Sequence, residues 1–119
     1  MNESQFKKKV NDEFKKQAGG LVFNISERYH SGIPDTYWAW DSWSCWIEYK
    51  VGYNKPSELQ KKKIKDLSYQ LMDCYIVTSL GDEVVIGWWS DETGEWGSCR
   101  TEGIGQAVKY IIEGELRCS

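Results

Sequence analysis

The sequence predicts an α/β fold, a mixed β-sheet flanked by helices in the order α-β-β-β-α-β, followed by an extra strand and a C-terminal helix. Two lysine-rich segments repeat apolar residues at helical spacing, and several short stretches are dense in β-branched and aromatic residues. The second helical segment lies between two such stretches, so it is a β-α-β crossover and its strands run parallel. Elsewhere tight turns reverse the chain, and the sheet is therefore mixed.

Residues 3–18, ESQFKKKVNDEFKKQA, place Phe6, Val10 and Phe14 four apart, with lysines filling the other face and Gly19-Gly20 as a C-cap. Leu21 to Ser26 reads as the first strand, and Glu27 to Gly32 as a polar loop. Thr36 to Trp40 and Trp43 to Val51 form an antiparallel hairpin turning at Asp41-Ser42. Gly52 to Pro56 is a loop, after which Ser57 N-caps a second helix running to about Met72, with Ile64, Leu67 and Leu71 as its apolar stripe. CYIVTSL, Cys74 to Leu80, is a short apolar run fit for a buried strand. Gly81-Asp82 turns into the strand Glu83 to Ser90, Asp91 to Gly97 is a turn-rich acidic loop, and Gly105 to Gly114 has Ala107, Val108, Ile111 and Ile112 at helical spacing.

With 119 residues, 40% of them hydrophobic and 28% charged, the chain is expected to form one domain, 1–119. No apolar run reaches the ~18 residues of a membrane span, and the N-terminus lacks the apolar core of a signal peptide, so a soluble cytoplasmic protein with no membrane partner is expected. Cys45, Cys74, Cys99 and Cys118 form no CxxC pair and the single histidine is His30, which argues against structural zinc and for free thiols. Net charge is −3, but unevenly placed: residues 1–65 hold 12 Lys/Arg against 8 Asp/Glu, and residues 66–119 hold 3 against 10. Such asymmetry suits a basic face for phosphate on an acidic body, or two solvated helix faces.

The chemistry gathers in the hairpin. In Trp46-Ile47-Glu48-Tyr49-Lys50-Val51 the strand period of two puts Glu48 and Lys50 on one face and Ile47, Tyr49 and Val51 on the other. Asp35 follows Gly32-Ile33-Pro34, a bend that places it at the start of the next strand, and the hairpin carries it toward Glu48. Two converging carboxylates repel unless a cation lies between them, and an all-oxygen site suits Mg²⁺ or Mn²⁺. Gln60 falls four residues before Ile64, on the buried side of its helix, and also completes a Ser57-x-x-Gln60 capping box. Lys61, Lys62, Lys63 and Lys65 cover the outer surface of that helix, where they could hold a phosphate backbone. Arg28 and His30 lie in the loop beside the site, and Lys55 follows the hairpin. The tryptophans Trp38, Trp40, Trp43, Trp46, Trp88, Trp89 and Trp96 pack the sheet, stack on unpaired bases or fill a dimer interface.

Pro34-Asp35 with Glu48-Tyr49-Lys50 resembles the signature of the PD-(D/E)xK nuclease superfamily, a restriction-endonuclease-like core. Gly32-Ile33-Pro34-Asp35, Trp46-Ile47-Glu48-x-Lys50 and Gln60 look like its VRR-NUC branch, and the resemblance spans about residues 3 to 80. It implies a metal-dependent DNA endonuclease. Asp35, Glu48 and the backbone carbonyl of Tyr49 would be the metal ligands, and Lys50 and Gln60 would be catalytic. A first-helix acid often completes such a site, and the register favours Glu3 over Glu13. Lys61, Lys62, Lys65, Lys55 and Arg28 would contact DNA. The small stand-alone members resemble Holliday-junction nucleases, which implies branched DNA as substrate and a homodimer to cut two symmetric strands. A sequence-specific or nicking endonuclease, or a non-catalytic DNA-binding module on the same fold, are the rival expectations.

Overall fold

A computed structural model describes residues 1–25 and 32–114. The elements are α1 Glu3–Ala18, β1 Leu21–Asn24, β2 Thr36–Trp40, β3 Trp43–Val51, α2 Glu58–Tyr69, β4 Cys74–Leu80, β5 Glu83–Ser90, β6 Glu95–Thr101 and α3 Ile104–Ile112. The architecture is the expected α/β one: the strands form one mixed sheet in the order β1-β2-β3-β4-β5-β6. Neighbouring strands are antiparallel except β3 and β4, which α2 connects and which run parallel.

α1 begins with a capping box in which Asn2 and Gln5 exchange side-chain-to-backbone hydrogen bonds, and it ends at Gly19 in the left-handed conformation. Its apolar stripe, Phe6, Val10 and Phe14, is fully buried against Trp38, Ile47 and Tyr49, which alternate inward along β2 and β3. α3 packs beside α1 on this face and adds Ala107, Val108 and Ile111 to the same core. Asn11 sits inside that core, where its Oδ1 accepts hydrogen bonds from Trp38 Nε1 at 3.0 Å and from the Tyr49 hydroxyl. The clamp ties α1 to both strands of the hairpin and satisfies two buried donors at once.

α2 lies on the opposite face, over β4 and β5, with Ile64 buried beneath it. Parity fixes this division of faces. Tyr49 packs edge-on against Phe6 of α1, while its neighbour Glu48 accepts a hydrogen bond from Gln60 of α2. Likewise Trp88 stacks on Tyr110 of α3, while Trp89 lies under Lys65 of α2.

The order expected after β4 needs correction, because two strands follow it rather than one. Glu95–Thr101, whose first three residues read as acidic loop, is the edge strand β6 and pairs antiparallel with β5 from Ser90↔Glu95 to Val84↔Thr101. Gly97 leaves room there for the Trp88 ring, which a Cβ would meet at 2.7 Å. α2 stops at Tyr69 rather than near Met72, since Leu71 adopts φ 63° and is solvent-exposed instead of extending the apolar stripe. β1 closes at Asn24 and Ile25 lies outside it; the expected last strand residue, Ser26, lies outside the described residues. Among the described cysteines, Cys45, Cys74 and Cys99 are free thiols, as expected; Cys118 lies outside the described residues.

Candidate metal centre at the fork of the hairpin

The site forms where two paired strands part. β2 pairs with β3 from Trp40↔Trp43 to Thr36↔Ile47, and beyond Ile47 the longer strand β3 continues with β4 alone. Asp35, the residue before β2, therefore falls at the register position opposite Glu48. Its backbone carbonyl accepts from Ile25 N at 2.8 Å, which anchors the entry to β2 against the chain leaving β1. Gly32 permits the approach: it has φ 84°, and a Cβ there would stand 2.8 Å from Leu59 Cγ and 3.0 Å from the Leu59 carbonyl of α2. The Gly-Ile-Pro-Asp bend is thus seated on the first turn of α2.

Glu3, Asp35 and Glu48 each offer a carboxylate oxygen, and these atoms lie within 4.8 Å of one another. Glu3 opens α1 on one face of the sheet; Glu48 points to the other face and is 1% exposed. They meet because the fork leaves the edge of β3 uncovered. Glu13 lies elsewhere, accepting a hydrogen bond from Gln17, so the tertiary structure selects Glu3 of the two helix acids.

The Glu48 carboxylate is held from two sides. Lys50 Nζ stands 3.5 Å from Glu48 Oε2, with its side chain only 13% exposed. Gln60 Nε2 donates to the same oxygen at 3.0 Å. Gln60 also completes the cap of α2, its Oε1 accepting from Ser57 N at 2.9 Å while its own N–H donates to Ser57 Oγ at 3.1 Å. One side chain therefore both caps the helix and fixes a carboxylate. Tyr49 N donates to Asp35 Oδ2 at 3.5 Å, and since the N–H and C=O of one strand residue leave on the same edge, the Tyr49 carbonyl also faces the Asp35 side.

A divalent ion fits this donor set. Three carboxylates and one ammonium sum to a charge of −2, which one such cation balances. Oxygens around an octahedral Mg²⁺ at ~2.1 Å lie roughly 3 to 4.2 Å apart, close to the spacing bound of the carboxylates here. Burial also shapes the neighbours' acidity: it pushes the Tyr49 phenol and the Cys74 thiol upward, and for Cys74 the nearby charges of Glu48 and Asp73 add to it.

The expected DNA contacts are dispersed. Lys61 pairs with Glu58 at 3.4 Å and Lys62 with Asp66 at 3.2 Å, surface pairs that a phosphate could displace at little cost. Lys65 instead lies 4.4 Å above the Trp89 ring, turned toward β5 rather than toward the fork. Lys55 is exposed in the loop after β3, and Arg28 and His30 lie outside the described residues. Lys7, which the sequence did not single out, projects from α1 to 5.9 Å above the Tyr49 ring, one turn beyond Glu3. Its i+4 relation to Glu3 is the signal by which the sequence could have found it. Of the tryptophans, Trp38 and Trp40 are core, whereas Trp43 and Trp96 are 44% and 39% exposed.

No protein-family model matches the chain, and a search of curated proteins found no relative.

Proposed function

We propose that this protein is a metal-dependent, structure-selective DNA endonuclease of the PD-(D/E)xK superfamily, VRR-NUC branch, acting as a homodimer on branched DNA such as Holliday junctions. The observation that carries the reading is the convergence of Glu3, Asp35 and Glu48 within 4.8 Å, with Lys50 and Gln60 both on Glu48. Glu3, Asp35 and Glu48 would hold Mg²⁺ or Mn²⁺, with the Tyr49 carbonyl as a further ligand by the resemblance. When bound, the ion supplies an acidified water and neutralises phosphoryl charge.

The chain's own groups do the rest. Gln60 and Lys50 hold the Glu48 carboxylate in one rotamer, so the ligand set is organised before substrate arrives. Lys50 carries three donors at the rim of the site, where its ammonium orients the attacking water or stabilises charge gathering on the phosphoryl oxygens. Glu3 and Gln60 both stand in the first turn of their helices, so the N-terminal ends of α1 and α2, which favour anions, both lie beside the carboxylates. The lysines of α2 add backbone contacts without base readout, and binding should weaken steeply with salt.

The test is cleavage of a labelled four-way junction, with linear duplex, single strand and splayed arm for comparison, in Mg²⁺, Mn²⁺ and EDTA, beside Lys50→Ala. Junction cutting that needs the metal and is lost in Lys50→Ala is the expected result. A junction that binds but survives in both metals removes the enzyme reading, and preferential cutting of one linear sequence removes the branched substrate. A monomer by light scattering, with and without DNA, removes the dimer.

A further inference from the structure

A second cleft, of about 610 Å³, opens between the end of α2, the start of β4, the end of β5 and α3. It shares no residue with the carboxylate site. Its walls are aromatic: Tyr75, Trp88, Trp89 and Tyr110 all line it, and Trp88 stacks on Tyr110 with centroids 6.3 Å apart. Its rim is acidic, with Asp91 and Glu92 exposed on the turn after β5 and Asp73 just before β4. Among the described residues lining it there is no Lys or Arg.

We infer that this cleft is a binding site for an organic cation with an apolar body, of the aliphatic polyamine class. Ring faces carry negative potential and attract ammonium groups, most strongly for Trp. One of these four rings already holds such a group, Lys65 Nζ 4.4 Å above Trp89, which leaves Tyr75, Trp88 and Tyr110 for a ligand. Trp89 is held in place by its Nε1 donating to Asp91 Oδ1 at 2.9 Å, and Ser68 Oγ lies 3.3 Å from the other Asp91 oxygen, so ring and carboxylate are oriented together. A hard cation has no use for aromatic walls, and an anion meets three carboxylates. The volume lies in the range of small-molecule sites and is larger than one ammonium group fills, so a flexible chain bearing several ammoniums matches both walls and rim. Exposed Leu71, at φ 63°, forms an apolar lip for the methylenes.

Spermidine titrated into the full chain by calorimetry, at fixed ionic strength and with tryptophan fluorescence followed in parallel, tests this. One saturable site is expected, with an indole signal change, and tetraethylammonium should compete for it because it keeps charge and apolar body but lacks N–H donors. Glu92→Gln, at an exposed position that leaves folding intact, should weaken binding about 3- to 10-fold, and Trp88→Leu about 3- to 30-fold. Asp35→Asn should leave spermidine binding unchanged. The inference is overturned if no saturable binding occurs, if Glu92→Gln and Trp88→Leu bind as the parent does, or if Asp35→Asn is the variant that loses it.

Discussion

Removing one carboxylate from the fork should stabilise the protein without metal and abolish its response to metal. Take Asp35→Asn, which keeps the shape and the oxygen that faces Tyr49 N. Two unit charges 4.8 Å apart repel by about 3.5 kcal/mol at an effective dielectric of 20 and by about 0.9 kcal/mol in water. Asp35 meets two such neighbours, Glu3 and Glu48. Glu3 is exposed and Asp35 half-buried, so the screened end applies, and the relief is about 1–2 kcal/mol. For a chain of this length that raises Tm by roughly 3–10 °C. The parent should behave in the opposite way: the less stable of the two in EDTA, it gains about 2.7 kcal/mol when Mg²⁺ reaches a hundred times its Kd. Thermal unfolding by circular dichroism in EDTA and in Mg²⁺, for parent and Asp35→Asn, gives the four numbers. A parent Tm indifferent to Mg²⁺ and Mn²⁺, or an Asp35→Asn protein less stable than the parent in EDTA, refutes the reasoning.

Other consequences separate structural from chemical roles. Gln60→Ala removes a capping contact and the bond to Glu48, so it should cost about 1 kcal/mol in urea unfolding and slow cleavage about 10- to 100-fold, whereas Ser57→Ala should cost similar stability and leave the cleavage rate near the parent's. Asn11→Ala strands the Trp38 and Tyr49 donors inside the core and should destabilise by about 2–5 kcal/mol, read from the urea midpoint; a loss under 1 kcal/mol would mean that the clamp is not formed. At alkaline pH, Cys74 and Tyr49 stay protonated in the folded chain while the unfolded chain ionises near their ordinary 9.0 and 10.0. The unfolded state then binds fewer protons, so the contribution of Cys74 is whole below pH 9 and that of Tyr49 below pH 10, and each falls above that pH by about 1.4 kcal/mol per pH unit. Cys74→Ala should flatten the first part of that decline in denaturation curves taken from neutral to alkaline pH.

Local order determined much of this molecule. Phe6, Val10 and Phe14 at a spacing of four, the aromatic and β-branched runs of β2, β3, β4 and β5, and the punctuation at Gly19, Asp41-Ser42 and Gly81 specify helices and strands through near neighbours, and the structure places those elements as the pattern implies. The period of two in β3 put Glu48 and Lys50 on one face, and the hairpin register put Asp35 opposite Glu48, both being consequences of covalent geometry. What lies far apart in the chain followed other rules. The edge strand β6 has little strand propensity of its own in EWGSCRT; it forms because β5 offers a ladder and Gly97 admits the Trp88 ring. Glu3 rather than Glu13 joins the fork because Asn11 and the apolar stripe set the rotation and depth of α1 against the hairpin. Lys65 turns to Trp89, and four rings from β4, β5 and α3 gather into one cleft, because the packing of α2 and α3 on opposite faces brings their ends to the same end of the sheet. Periodicity is a property of neighbours in sequence, while the choice among equivalent acids, lysines and rings belongs to contacts that exist only once the layers have closed.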